Sequence, residues 1–157
     1  MMKAATLNPP HDSVRLACLT FSLGHQLYAL PIEDVVEVAA MVELVAVVSA
    51  APEILGLANR HGEVLPMLDL RPIFRQGKGG NINASTLFVV AAHGDQRVGL
   101  VVDEVHQVAY FGMEQLARTT TREKYIRGII PYGEQLIQII ALPPLLAFFL
   151  SDMVSES

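Results

Sequence analysis

The chain has 157 residues, enough for one domain or two small lobes around a shared core, and large enough to need no metal or disulfide staple. Its net charge of −5 comes from 16 acidic and 11 basic residues, the basic ones scattered, which excludes a phosphate-tracking surface and argues against nucleic acid as a partner. Hydrophobic residues make up 52% and charged residues 17%, so the apolar excess must fill an interior of short strands or be reserved for partners.

Residues 1–13 contain Pro, Asn and Asp without periodicity and are expected to form a loose tail. The opening MMKAATLNPP has no apolar h-region and does not read as a signal peptide. Val14–Leu23 reads as a strand, Gly24-His25-Gln26 as its turn and Leu27–Pro31 as the return. The single cysteine, Cys18, lies inside this first apolar stretch and is expected to be a buried, reduced thiol. Val35–Ala39 is a further short strand, followed by an apolar but irregular stretch to Ala51. Ile54–Asn59 and Val64–Leu70 then form a hairpin about the turn His61-Gly62. Arg75–Asn83, rich in glycine and polar residues, reads as a flexible connection.

Leu87–Ala92, Val98–Val102 and Val105–Tyr110 are β-branched and apolar, with a turn at His93-Gly94-Asp95-Gln96. Met113–Arg118 has room for a helical turn or two, and Thr119–Lys124 is a polar loop. Tyr125–Pro131 and Leu136–Leu142 form a second hairpin around Tyr132-Gly133-Glu134. Pro143 and Pro144 suit the first turn of a helix reaching about Leu150, with 151–157 as a tail. The apolar run Leu142–Leu150 is shorter than the roughly 20 residues needed to span a bilayer. These features point to a cytoplasmic protein, without membrane insertion, built as an all-β barrel or sandwich.

The chain also resembles itself. ILGLANRHGEVLPMLDLRPIF from Ile54 aligns without a gap on IRGIIPYGEQLIQIIALPPLL, which starts 72 positions later at Ile126. YALPIEDVVEV from Tyr28 aligns on VGLVVDEVHQV, 70 positions later at Val98. Two long matches in the same order predict a duplicated small barrel over residues 14–150.

No catalytic constellation emerges. The chain lacks a G-x-S-x-G elbow, an H-E-x-x-H pair and paired cysteines. Its five histidines are far apart, four of them at expected turns or in the tail, so no metal or other cofactor is expected. Gly77-Lys78-Gly79-Gly80 lacks the order of a phosphate loop and has no helix-forming run after it. The acidic pairs Glu33-Asp34 and Asp103-Glu104 fall at equivalent repeat positions, which favours turn or cap roles over an acid–base dyad. The polar residues are placed singly, at turns, so function is expected to lie in surfaces and not in catalysis.

Four motifs in order carry a family resemblance. Gly56-Leu57-Ala58-Asn59-Arg60-His61-Gly62-Glu63-Val64-Leu65-Pro66-Met67-Leu68-Asp69-Leu70-Arg71 resembles the CheW family pattern G-x-x-N-L-R-G-x-x-x-P-[VI]-x-D-L-R. Gly99-Leu100-Val101-Val102-Asp103-Glu104-Val105 is similar to G-[LI]-V-V-D-x-V, and Tyr125-Ile126-Arg127-Gly128-Ile129 to Y-[IL]-x-G-[VI]. Phe21–Val38 resembles the family's opening. The resemblance implies two intertwined five-stranded SH3-like barrels with short helices, one of them C-terminal. It also implies a non-catalytic adaptor bridging a chemoreceptor cytoplasmic tip and the regulatory domain of a CheA-type histidine kinase. Carried over by position, Val35 and Glu37 match the groove-side segment, and Asn59 and Gly62 match the N-L-R-G turn.

Arg60 and His61 stand where that pattern has Leu-Arg, so a charge has moved by one position. That move is expected to aim the charge elsewhere, and histidine is only partly charged near neutral pH. Ala141 and Pro143-Pro144 replace the aspartate and charged residue that often end the second hairpin. The C-terminal run is therefore expected to dock in the core. These changes mark a divergent member, leaving open a type IV pilus (twitching) pathway or, in a different class, a small-molecule-binding β-barrel.

Overall fold

The computed structural model describes residues 15–48, 51–79, 81–117 and 123–155. The expected tail over residues 1–13 and most of the polar loop Thr119–Lys124 lie outside the described residues. Short β-branched runs set the strands, and two-residue turns join most of them. Strands β1 (Arg15–Leu23) and β2 (Gln26–Pro31) form the first hairpin, and a 3-10 turn at Ile32–Asp34 leads into β3 (Val35–Ala40). A two-residue strand β4 (Leu44–Val45) precedes the hairpin of β5 (Ile54–Arg60) and β6 (Glu63–Asp69), which ends in the short helix α1 (Leu70–Ile73). Next come β7 (Leu87–His93), β8 (Gln96–Val102), β9 (Glu104–Gly112) and helix α2 (Met113–Ala117). The last elements are β10 (Ile126–Tyr132), β11 (Gln135–Ile140) and helix α3 (Leu142–Ser155).

These strands make two sheets, ordered β10-β11-β2-β1-β9 and β3-β7-β8-β6-β5-β4. The first two strands of the chain thus share a sheet with the last three, and the two sheets are intertwined in sequence. The second sheet has six strands where five were expected. The extra one is β4, hidden within the irregular apolar stretch because two residues carry no periodicity. β3 and β4 occupy opposite ends of this sheet but are joined by residues 41–43 alone. Six flat strands would place those ends about 24 Å apart, whereas the four steps from Ala40 to Leu44 reach at most about 14 Å. The sheet must therefore curl on itself.

Strand pairing follows the same two offsets as the sequence. The parallel pair Met67–Gly99 of β6 and β8 has as its counterpart Ile139–Ala29 of β11 and β2. The register slips between Ile54 and Gly56 in one hairpin and between Ile126 and Gly128 in the other. Both glycines give room to a neighbour. A Cβ on Gly56, whose φ is 151°, would sit 2.7 Å from the Val45 carbonyl oxygen of β4, and one on Gly128 would collide with Leu116 of α2.

A central core between the sheets contains Phe21, Leu30, Leu68, Leu100 and Ile140, closed by Leu142, Leu145, Leu146 and Phe149 of α3. A smaller core lies within each sheet. One holds Ala39, Ala58, Leu65, Met67 and Phe88, and the other holds their positional counterparts Ala109, Ile130, Ile137, Ile139 and Cys18. Volume is conserved by exchange, since large Phe88 and small Ala58 are replaced by small Cys18 and large Ile130. Cys18 is fully buried, and burial pushes its thiol pKa up to about 12.

α3 continues to Ser155 instead of ending near Leu150. Met153 continues the apolar spacing of Leu145, Leu146, Phe149 and Leu150, and Ser151-Asp152 carry no helix-breaking glycine or proline. At the junction of the sheets, the buried Asp69 carboxylate caps α1 by accepting from the Arg71 backbone N–H at 3.1 Å. It also accepts from Arg71 Nε at 2.9 Å and Nη2 at 3.0 Å. Arg71 Nη1 reaches Asp103 at 3.4 Å, and Asp103 in turn accepts from the Gly24 N–H in the β1–β2 turn at 2.6 Å.

Candidate functional site

The candidate residues sit on two elements at the curled end of the six-stranded sheet. Arg60 and Glu63 pair across the β5–β6 hairpin, leaving His61-Gly62 as a two-residue turn. Both turn residues have positive φ, 54° and 82°, the conformation that two-residue hairpins favour. Glycine adopts it freely, and histidine is among the side chains that tolerate it best. The turn thereby projects His61 into solvent and leaves Arg60 as the last residue of β5.

Arg60 faces β3 from the opposite end of the strand order, and there it meets Glu37. Its Nη2 donates to Glu37 Oε1 at 2.9 Å and its Nε to Oε2 at 3.3 Å, a two-point fork that suits the planar guanidinium. The guanidinium carbon also lies 5.8 Å from the centre of the Phe88 ring, within cation–π range. His61 Nε2 stands 3.6 Å from Glu37 Oε2, adding an ion pair whenever the imidazole is protonated. The hydrogen bonds and charge of Arg60, with a smaller contribution from His61, hold the Glu37 carboxyl below its ordinary pKa. The same carboxylate raises the pKa of Arg60.

Of the six residues singled out by sequence, Glu37, Arg60 and His61 converge, and Gly62 builds the turn that lets them do so. Val35 is partly buried against the central core, and Asn59 is exposed on β5 opposite Val64. Arg60 and His61 both reach the Glu37 carboxylate. Phe88 was not singled out by sequence, since an aromatic residue in a buried strand reads as core; only its contact with Arg60 marks it. The arrangement brings partly exposed charges of both signs together, with the exposed His61 beside them.

Comparisons with known proteins agree with this fold. A family model described as the CheW-like domain matches residues 17–148. The chain is 28% identical over 154 residues to chemotaxis protein CheW of Klebsiella aerogenes, covering 93% of this chain and 92% of that one. It is 25% identical over 135 residues to chemotaxis protein CheW of Helicobacter pylori, covering 83% and 81%. The crystal structure of scaffolding protein TtCheW from Thermoanaerobacter tengcongensis superposes with a TM-score of 0.71 at 29% identity, covering 82% of this chain and 90% of that chain. The β-strand composition, the two intertwined sheets and the match across almost the whole chain lead to one assignment: the chain belongs to the CheW-like domain family.

Proposed function

We propose that this chain is a non-catalytic chemosensory coupling adaptor, acting in the cytoplasm between a chemoreceptor tip and the regulatory domain of a CheA-type histidine kinase. The observation that carries this reading is the family match over residues 17–148, which spans both sheets and the candidate site. In this reading Val35, Glu37, Asn59, Arg60, His61 and Gly62 mark the partner-facing surface. The Glu37–Arg60 pair is partly exposed, and exposed pairs are held weakly. A partner can therefore take over either charge at little cost, which makes the pair a pre-oriented contact and not a lock. His61 supplies a second, conditional positive charge at the same carboxylate.

Calorimetry with a CheA-type regulatory domain and with a receptor tip fragment tests the proposal. Binding to at least one is expected, and absence of binding to both would sink it. His61→Arg is expected to strengthen receptor-tip binding or to flatten its pH dependence between about 6 and 8. An unchanged affinity and an unchanged pH profile would remove His61 from the contact.

A further inference from the structure

The position occupied by Glu37 and Arg60 in one sheet has a counterpart in the other, with different chemistry. Gln107 lies 70 positions after Glu37, and Tyr132 lies 72 after Arg60. They also meet across the ends of their sheet, Gln107 Nε2 donating to the Tyr132 hydroxyl at 3.2 Å. Thr20, standing where the other sheet has Val90, fixes Gln107 by a reciprocal clip. Its hydroxyl donates to the Gln107 carbonyl at 2.6 Å and accepts from the Gln107 N–H at 3.1 Å. In the six-stranded sheet, the stack of Arg60 on Phe88 occupies this region. Here Phe88 is replaced by Cys18 and Arg60 by Tyr132, and an open cleft of about 570 Å³ is present.

The lining of that cleft specifies its occupant. Leu27 and the Tyr132 ring, both partly exposed, contribute apolar surface above the buried Ile137. The Tyr132 hydroxyl accepts a hydrogen bond from Gln107 Nε2 and keeps its own O–H to donate, while Gln107 Oε1 remains an acceptor. One donor beside one acceptor complements a peptide group, which offers a carbonyl oxygen and an N–H. Glu134 is the one carboxylate in the lining, which contains no lysine or arginine; its remaining titratable neighbours are His106 and Tyr132. A cation beside the apolar group is favoured accordingly.

We propose that this cleft docks an extended segment of a partner protein: an apolar side chain rests on Leu27 and the Tyr132 ring, a main-chain amide is held by Gln107 and Tyr132, and an adjacent lysine or arginine faces Glu134. The site does not depend on the kinase–receptor reading, because it shares no residue with the Glu37–Arg60–His61 surface.

The test is an amide NMR titration of the full chain with acetyl-Ala-Leu-Arg-Ala-amide and, separately, acetyl-Ala-Leu-Glu-Ala-amide. The arginine peptide is expected to shift the amides of Thr20, Leu27, Gln107, Tyr132 and Ile137 and to bind the more tightly of the two. Tyr132→Phe, which keeps the ring and the fold, is expected to weaken it about fivefold by removing one neutral hydrogen bond. Glu134→Lys is expected to reverse the preference between the peptides, and Glu37→Arg to leave both titrations unchanged. No response at millimolar peptide, equal binding of the two peptides, or shifts centred elsewhere would overturn the proposal.

Discussion

The two sheets share a pairing scheme and part company in their polar residues. At one end Glu37 meets Arg60 and His61, whereas at the equivalent place Gln107 meets Tyr132. At the junction Asp69, Arg71, Asp103 and Gly24 form a charged network, while the corresponding positions are Ala141, Pro143, Glu33 and Gly94. The apolar positions behave differently, because Ala39, Leu65 and Met67 and their counterparts Ala109, Ile137 and Ile139 stay buried in both. A β framework is specified by register and core volume, and polar residues at the strand ends are free to diverge. Divergence there gives the protein two different faces on one repeated plan.

The junction tests this comparison most severely. Asp69→Ala leaves the Arg71 side chain, 14% exposed, without its closest carboxylate, and the expected loss is about 3–5 kcal/mol in urea unfolding. Ala141→Ser, at the equivalent place, is expected to stay within about 0.5 kcal/mol. Comparable losses at the two positions would mean that the two halves are held together in the same way. The small cores come next. Leu65→Ala and Ile137→Ala remove side chains buried at equivalent positions and are each expected to cost about 2–4 kcal/mol. A large inequality between them would break the equivalence of the two cores.

Smaller effects sharpen the electrostatic side. Because Glu37 is held below the ordinary value of 4.5, chiefly by Arg60, the pair contributes stability above that range. The contribution is lost as pH falls through the depressed pKa. In an NMR titration the Glu37 carboxyl is expected to protonate below pH 4.5, and Arg60→Ala is expected to move its midpoint upward. An unmoved midpoint would detach the two residues. The smallest response is expected at Cys18. With its thiol raised to about 12, the native protein is expected to resist iodoacetamide at pH 8 and to react once unfolded.

Most of this fold is legible in the chain, for identifiable reasons. Apolar runs such as Leu87–Ala92 and glycine-containing turns such as Gly24-His25 carry strong local signals, and the two offsets forecast the shared registers. β4 escaped because its two residues sit in the irregular run Met41–Val48, where apolar residues broken only by Glu43 show no strand alternation. The C-terminal helix was drawn too short because its continuous apolar run stops at Leu150, while the helical spacing resumes at Met153 after Ser151-Asp152. At the candidate site, the turn residues and Glu37 were legible from motif positions. The fork between Arg60 and Glu37 was not, since the residues are 23 positions apart and meet only when the sheet curls. The repeat contained a usable signal, because the same offsets place Gln107 and Tyr132 together.

The measurement that bears most directly on the coupling role is calorimetric titration of a CheA-type regulatory domain and of a receptor tip fragment into the wild-type chain and into Glu37→Arg. The expected result is binding by the wild-type chain and at least a tenfold loss for one of the two partners in the variant, with the fold preserved. Wild-type and variant chains that bind both partners equally, or a wild-type chain that binds neither, would contradict the account.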